Sequence, residues 1–244
     1  MKRILIMGAT SGIGLEVARL YIRKGWRVGA AGRNVEALAA LASEAPERVV
    51  TERIDILDDD APARLLSLVE RLGGMDIYLH SSGVGSRNLE LHPDIEIATL
   101  RTNGEGFVRM VTAAFGWMRS HYGGRIAAIS SIAGTRGLGS APAYSASKRM
   151  QYTYLDALDQ LARMEGLPIR FTDIRPGFVS TPLLNRSHSY PLLMEPRAVA
   201  ERIVRALDSG RRRVVIDRRY ALLVALWRLI PQWLWVRLKV RNKA

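Results

Sequence analysis

The chain has 244 residues, 48% hydrophobic and 24% charged, a balance that excludes pervasive disorder and suits a single α/β domain of this length. It has no cysteine and four scattered histidines, so disulfides and thiolate metal centres are excluded and no metal site is expected. The formal charge of +13 points first to an acidic partner. From Arg205 to Ala244, however, eleven Lys or Arg face only Asp208 and Asp217, which makes the excess largely local to the C-terminus.

Strand-like and helix-like segments alternate along the chain. Lys2 to Met7 is an apolar run that stops at Gly8, too short for an export signal and predicted as a buried strand. Gly12 to Lys24 carries Ile13, Val17, Leu20 and Tyr21 at helical spacing, and Trp26 to Ala31 reads as the next strand, completing one βαβ unit. A helix over Val35 to Ser43, a strand over Val49 to Ile54, a helix over Ala61 to Leu72 and a strand over Asp76 to Ser81 follow. Further strands are predicted at Arg125 to Ser130, Ile169 to Ile174 and Val214 to Asp217, with long helices over Ile95 to Tyr122, Ala143 to Glu165 and Pro196 to Ser209. This alternation predicts a doubly wound parallel α/β sheet of Rossmann type, about seven strands with helices on both faces. No repeat, low-complexity tract or linker divides it.

The first strand-to-helix turn reads Gly8-Ala9-Thr10-Ser11-Gly12-Ile13-Gly14. Glycines there let the main chain approach a pyrophosphate, and the helix N-terminus offers free N–H groups and a favourable dipole. The GxxxGxG spacing differs from the GxGxxG fingerprint of many dinucleotide folds. Downstream, Tyr144 and Lys148 stand four residues apart with Ser131 thirteen residues earlier. On a helix the two share a face, and a neighbouring ammonium favours phenolate, moving a phenol towards a pKa useful for proton transfer.

Taken together these residues resemble the short-chain dehydrogenase/reductase family over about Lys2 to Asp217. Asp55-Ile56 matches the family's adenine-contacting pair, Asn103 in Thr102-Asn103-Gly104 its helix asparagine, and Ser131, Tyr144 and Lys148 the rest of its catalytic set. Pro176-Gly177 through Val179 and Thr181 matches the segment at the nicotinamide end. The resemblance implies that Thr10, Ser11 and Ile13 join the glycines at the cofactor, with Ser82 and Gly83 opposite. It also implies hydride transfer between nicotinamide and a carbonyl or carbinol carbon. Tyr144 would move the proton, Ser131 would steady the oxygen, Lys148 would lower the Tyr144 pKa and hold the ribose, and Asn103 would position a water linking Lys148 to solvent.

Two departures stand out. Met7 replaces the family's hydroxyl residue before Gly8, and His80-Ser81-Ser82-Gly83 stands where Asn-Asn-Ala-Gly is usual. His80 is read as a hydrogen-bonded structural histidine of a buried strand. At the end of the second strand, Ala30-Ala31-Gly32-Arg33-Asn34 holds no acid for a ribose diol. NADP(H) is therefore expected, with Arg33 clamping the 2′-phosphate and Asn34 beside it.

Ligands of open α/β sheets bind beyond the carboxyl ends of the strands, so Val84 to Asn88, Ile132 to Leu138 and a lid over Phe178 to Met194 should surround a lipophilic or bulky substrate. The domain is expected to span residues 1–217, lid included, with residues 218–244 as a basic, apolar extension. Tyr220 to Val236, YALLVALWRLIPQWLWV, is too short and broken to span a bilayer confidently. It suits either an interfacial segment on an anionic membrane or a helix packed on the domain or a second subunit. No nucleic-acid partner is expected, because the aromatics there form no stacking platform. The family implies a homodimer or homotetramer, and the expected location is cytoplasmic with or without peripheral membrane contact. The alternative to an enzyme is a non-catalytic dinucleotide-binding regulator, which would have little use for Asn103, Ser131, Tyr144 and Lys148.

Overall fold

The computed structural model describes residues 1–184 and 190–240. Its organising element is the short strand β1 (Arg3–Met7), of which every residue after Arg3 is buried. Side chains alternate across a strand, so Ile4 and Ile6 enter one core and Leu5 and Met7 the other.

Six strands extend the sheet: β2 (Arg27–Gly32), β3 (Val49–Arg53), β4 (Ile77–His80), β5 (Gly124–Ile129), β6 (Ile169–Pro176) and β7 (Arg213–Ile216). The order is β3-β2-β1-β4-β5-β6-β7, and each neighbouring pair is parallel. All seven carboxyl ends therefore meet one edge, and the strand order reverses between β1 and β4, where ligands of such sheets bind. The predicted doubly wound sheet is present.

One face is covered by α1 (Gly12–Arg23), α2 (Val35–Glu44) and α7 (Pro196–Asp208), with Val17, Tyr21, Leu41 and Ile203 in the shared core. The other carries α3 (Ala61–Leu72), α5 (Phe107–Arg119) and α6 (Pro142–Met164), through Leu65, Leu68, Phe107, Met110 and Leu155.

The single helix predicted over Ile95 to Tyr122 is instead α4 (Pro93–Leu100), a π-helical turn (Arg101–Gly106) and α5. A Cβ on Gly106 would lie 2.7 Å from Ile56 Cγ1. The glycine thus admits Ile56 against the helix where its winding changes, and helical periodicity alone does not reveal a π turn.

Beyond β7 the chain forms α8 (Arg218–Leu229) and α9 (Gln232–Trp235). Asp217 caps α8, accepting from the Arg219 amide at 2.9 Å. Tyr220, Val224 and Trp235 are buried. The Arg136 guanidinium donates to the carbonyls of Trp227 (3.2 Å), Arg228 (3.1 Å) and Ile230, satisfying carbonyls that the end of α8 leaves free.

Candidate active site

The glycine turn between β1 and α1 is built to expose main chain. Gly8 and Gly12 have φ of +90° and +53°, a region that favours glycine. A Cβ on Gly14 would stand 2.1 Å from the Gly8 carbonyl oxygen, and one on Gly8 would stand 2.7 Å from the Ser82 amide. Ser11 precedes α1 without capping it through its side chain, so the helix's first amides face the turn. Thr10 packs over the end of β2, where a Cβ on Gly32 would lie 2.7 Å from its Cγ2; across the turn, a Cβ on Gly12 would lie 3.1 Å from Thr181 Cγ2. This is a turn whose close main-chain approaches only glycine can make.

Past β2, Arg33 Nη1 lies 3.8 Å from Asp55 Oδ2, with the Arg33 side chain 71% exposed. Asp55 Oδ1 accepts from the Leu57 amide at 3.1 Å. The Asn34 side chain is committed to capping α2, accepting from Ala37 N at 2.8 Å. Ile56 is buried in the core, so its side chain faces the interior.

The candidate catalytic residues gather where β4, β5 and α6 meet. Gly83 sits over Asn103 and Lys148: a Cβ there would lie 3.0 Å from Asn103 Oδ1 and 3.4 Å from Lys148 Nζ. Asn103 Oδ1 accepts from Val84 N (2.9 Å), while its Nδ2 donates to Val84 O (2.7 Å) and Ser147 Oγ (3.1 Å). The side chain predicted from its motif is thus a strut tying the π turn to the β4 loop and α6. Lys148 Nζ donates to Ile129 O (3.2 Å) and Gln151 Oε1 (3.2 Å) and lies 5.7 Å from the centre of the Tyr144 ring. Burial lowers the Lys148 pKa to about 8, partly opposed by Asp173.

Tyr144 is half-buried, and burial raises its pKa while a hydrogen bond with Ser131 lowers it, the net direction being upward. This differs from the sequence expectation that Lys148 depresses the phenol. The ammonium is turned to Ile129 and Gln151, so Ser131 supplies the lowering interaction. Ser131 Oγ also accepts from Ala133 N at 3.1 Å. Ser130 points elsewhere, donating to Asp173 Oδ1 and Ile174 O. Strand alternation separates the two adjacent serines as anticipated.

His80 has the structural character expected of it. It is buried, its Nδ1 lies 2.9 Å from the Tyr78 hydroxyl, and its ring meets Phe107 edge-on at 5.1 Å. Burial, then the Lys148 charge, pushes its pKa down to about 3; the Ser82 main chain opposes this weakly, although Nε2 has no partner of hydrogen-bonding geometry. Tyr152 is core, with the Arg175 guanidinium 3.4 Å from its ring centre.

The lid's two described ends are tied together. Val179 and Met194 form a bridge and are buried, while Tyr220 of α8 donates to Pro191 O at 2.7 Å. A Cβ on Gly177 would lie 2.2 Å from the Tyr220 ring. Among the lid's apolar residues, Leu183, Leu192 and Leu193 are exposed; the middle of the predicted lid, 185–189, lies outside the described residues. Sequence reading missed Gln151, Gly85 and Tyr220. For Gln151 the signal was present, since it stands one turn after Lys148 on the same helix face.

Comparison with known proteins decides the family. The family model for short chain dehydrogenases matches residues 2–190. The chain belongs to that oxidoreductase family. It is 32% identical to an uncharacterized oxidoreductase of Myxococcus xanthus, covering 94% of this chain and 93% of the relative. Dehydrogenase/reductase SDR family member 7B of Bos taurus is 33% identical, covering 93% of this chain and 77% of that protein. Among solved structures, the actinorhodin polyketide ketoreductase with NADPH aligns at a TM-score of 0.77 and 27% identity, over 88% of this chain and 95% of the other. A Burkholderia cenocepacia short chain dehydrogenase in complex with NADP shares the fold at a TM-score of 0.84 and 23% identity, over 99% and 100% of the two chains.

Proposed function

We propose that this chain is an NADP(H)-dependent oxidoreductase interconverting a carbonyl and a carbinol of a lipophilic or bulky small molecule, with Tyr144 as the proton donor and acceptor. The observation that carries the reading is the meeting of Tyr144, Ser131 and Lys148 at the strand ends beside the glycine cradle. When bound, the reduced nicotinamide supplies the hydride. Tyr144 delivers its phenolic proton to the substrate oxygen, and Ser131, whose side chain lowers the Tyr144 pKa against burial, steadies the charge developing there. Lys148, buried with its ammonium beneath Gly83, holds the ribose. Asn103 braces Lys148's surroundings. Arg33 pairs with the 2′-phosphate, and the NADPH-bound ketoreductase neighbour supports that choice of nucleotide. Exposed Leu183, Leu192 and Leu193 beside the strand ends support an apolar substrate.

In this reading residues 1–217 are the catalytic domain and 218–244 its extension, and the enzyme is a homodimer or homotetramer. The extension both packs and presents. Its inner residues are buried, whereas Leu222, Leu226, Leu229 (78%), Trp233 (61%) and Val236 face outward. A cleft of about 900 Å³ beside it is lined by Arg136, Arg149, Arg237 and Lys239 and by no carboxylate. Apolar and cationic surface side by side supports peripheral contact with an anionic membrane. No helix among the described residues is long and apolar enough to cross one.

An NADPH-oxidation screen over aldehydes, ketones, 3-ketoacyl compounds, quinones, steroids and keto-sugars tests the activity. Tyr144→Phe should abolish turnover while NADPH binding stays nearly intact; appreciable turnover by that variant refutes the role of Tyr144.

A further inference from the structure

Lys148 carries the one buried ammonium at the candidate site, and what holds it is unusual in its economy. A long flexible amine with three donors needs fixed acceptors to stay in one place. Here the described acceptors are the Ile129 carbonyl and the Gln151 side-chain oxygen, each at 3.2 Å. The other end of the same amide is not free: Gln151 Nε2 donates at 2.9 Å to the main-chain carbonyl of Asn103, a residue of the π-helical turn 48 positions earlier. Gln151, Asn103 and Lys148 are 1%, 0% and 4% exposed, so water competes little for these contacts. The amide's polarity fits only one way round, because an ammonium cannot donate to an NH₂ and a carbonyl cannot accept from an oxygen.

We propose that Gln151 is a positioning residue for Lys148, clamping its ammonium to the Asn103 turn so that it stays beneath Gly83 and beside Tyr144. The inference rests on the functional reading above for the use made of Lys148, and on the geometry alone for the clamp. The neighbouring groups sharpen its consequence. From β4, buried His80 is held neutral; from β6, Asp173 faces Lys148 but is already bound by Arg175 (2.6 Å) and Ser130; on α6 itself the neighbour is the Tyr144 phenol. No carboxylate among the described residues pairs directly with Lys148. Gln151 thus provides one of two hydrogen bonds favouring the charged lysine against burial.

The test is titration of Lys148 by ¹³C NMR in full-length protein labelled at lysine, without added nucleotide. Only five lysines are present, Lys2, Lys24, Lys148, Lys239 and Lys243, so the resonance is readily assigned by Lys148→Arg. Gln151→Met keeps the length and apolar bulk of the side chain and removes the acceptor; the Lys148 pKa should fall by about one unit. Gln151→Glu places a carboxylate at the ammonium and should raise it. The pH profile of kcat should move in the same two directions, with kcat in Gln151→Met lowered by about tenfold. A role in packing alone would change the melting temperature without opposite shifts of one titration. Wild-type titration in both variants overturns the proposal. A wild-type chain that reduces no carbonyl with NADPH overturns the functional reading instead, and leaves the NMR result to stand on its own.

Discussion

The Tyr144 ring rests on the main chain of Gly85: a Cβ there would stand 2.7 Å from its Cδ2 and Cε2. No left-handed φ marks Gly85, so alanine is tolerated by the backbone and the substitution acts through the ring. Gly85→Ala should displace the phenol and lower kcat about 10- to 100-fold, with little change in NADPH affinity. Steady-state kinetics alongside nucleotide-fluorescence binding checks this. Unchanged kcat in a folded variant would mean that the ring's resting place does not matter to turnover.

Arg33 and Asp55 approach to 3.8 Å at the exposed end of β2. A solvated pair of this kind contributes little to stability, which leaves Arg33 available for a phosphate. Arg33→Asp should weaken NADPH binding by about 10- to 100-fold and leave NADH nearly unaffected. Parallel calorimetric titrations with the two nucleotides measure the ratio, and equal losses remove the assignment.

The tail is best tested without truncation, because Tyr220 sits on Gly177 and holds Pro191; removing α8 would disturb the lid as well. Leu226→Asp with Trp233→Asp changes only outward residues. Wild-type protein should float with anionic vesicles and detach as salt rises, and the double variant should stay behind with its NADPH turnover retained. Equal flotation of both proteins would remove the outward face from membrane contact.

Much of the candidate site was legible because its signals are local. Gly8, Gly12 and Gly14 announce a turn that only unsubstituted backbone can make, and Tyr144 and Lys148 share a helix face by spacing alone. The π turn at Arg101–Gly106 was not legible, since its own residues, RTNGEG, include no large apolar side chain that would reveal a change of winding. The direction of the Lys148 ammonium was also hidden. It depends on Ile129 and Gln151 being brought around it in a dry interior, where any polar group must find a partner.

By itself, the order of apolar strands, amphipathic helices and glycine punctuation determined the parallel doubly wound sheet, because alternation of period 2 and 3.6 leaves few ways to bury both sheet faces. Tertiary structure alone decided which long-range partners meet: Gln151 with Asn103, Tyr220 with Gly177, Arg136 with the end of α8. Those contacts join residues dozens of positions apart. Their pairing follows from how the packed layers fill space and satisfy buried polar groups, which is a property of the whole fold.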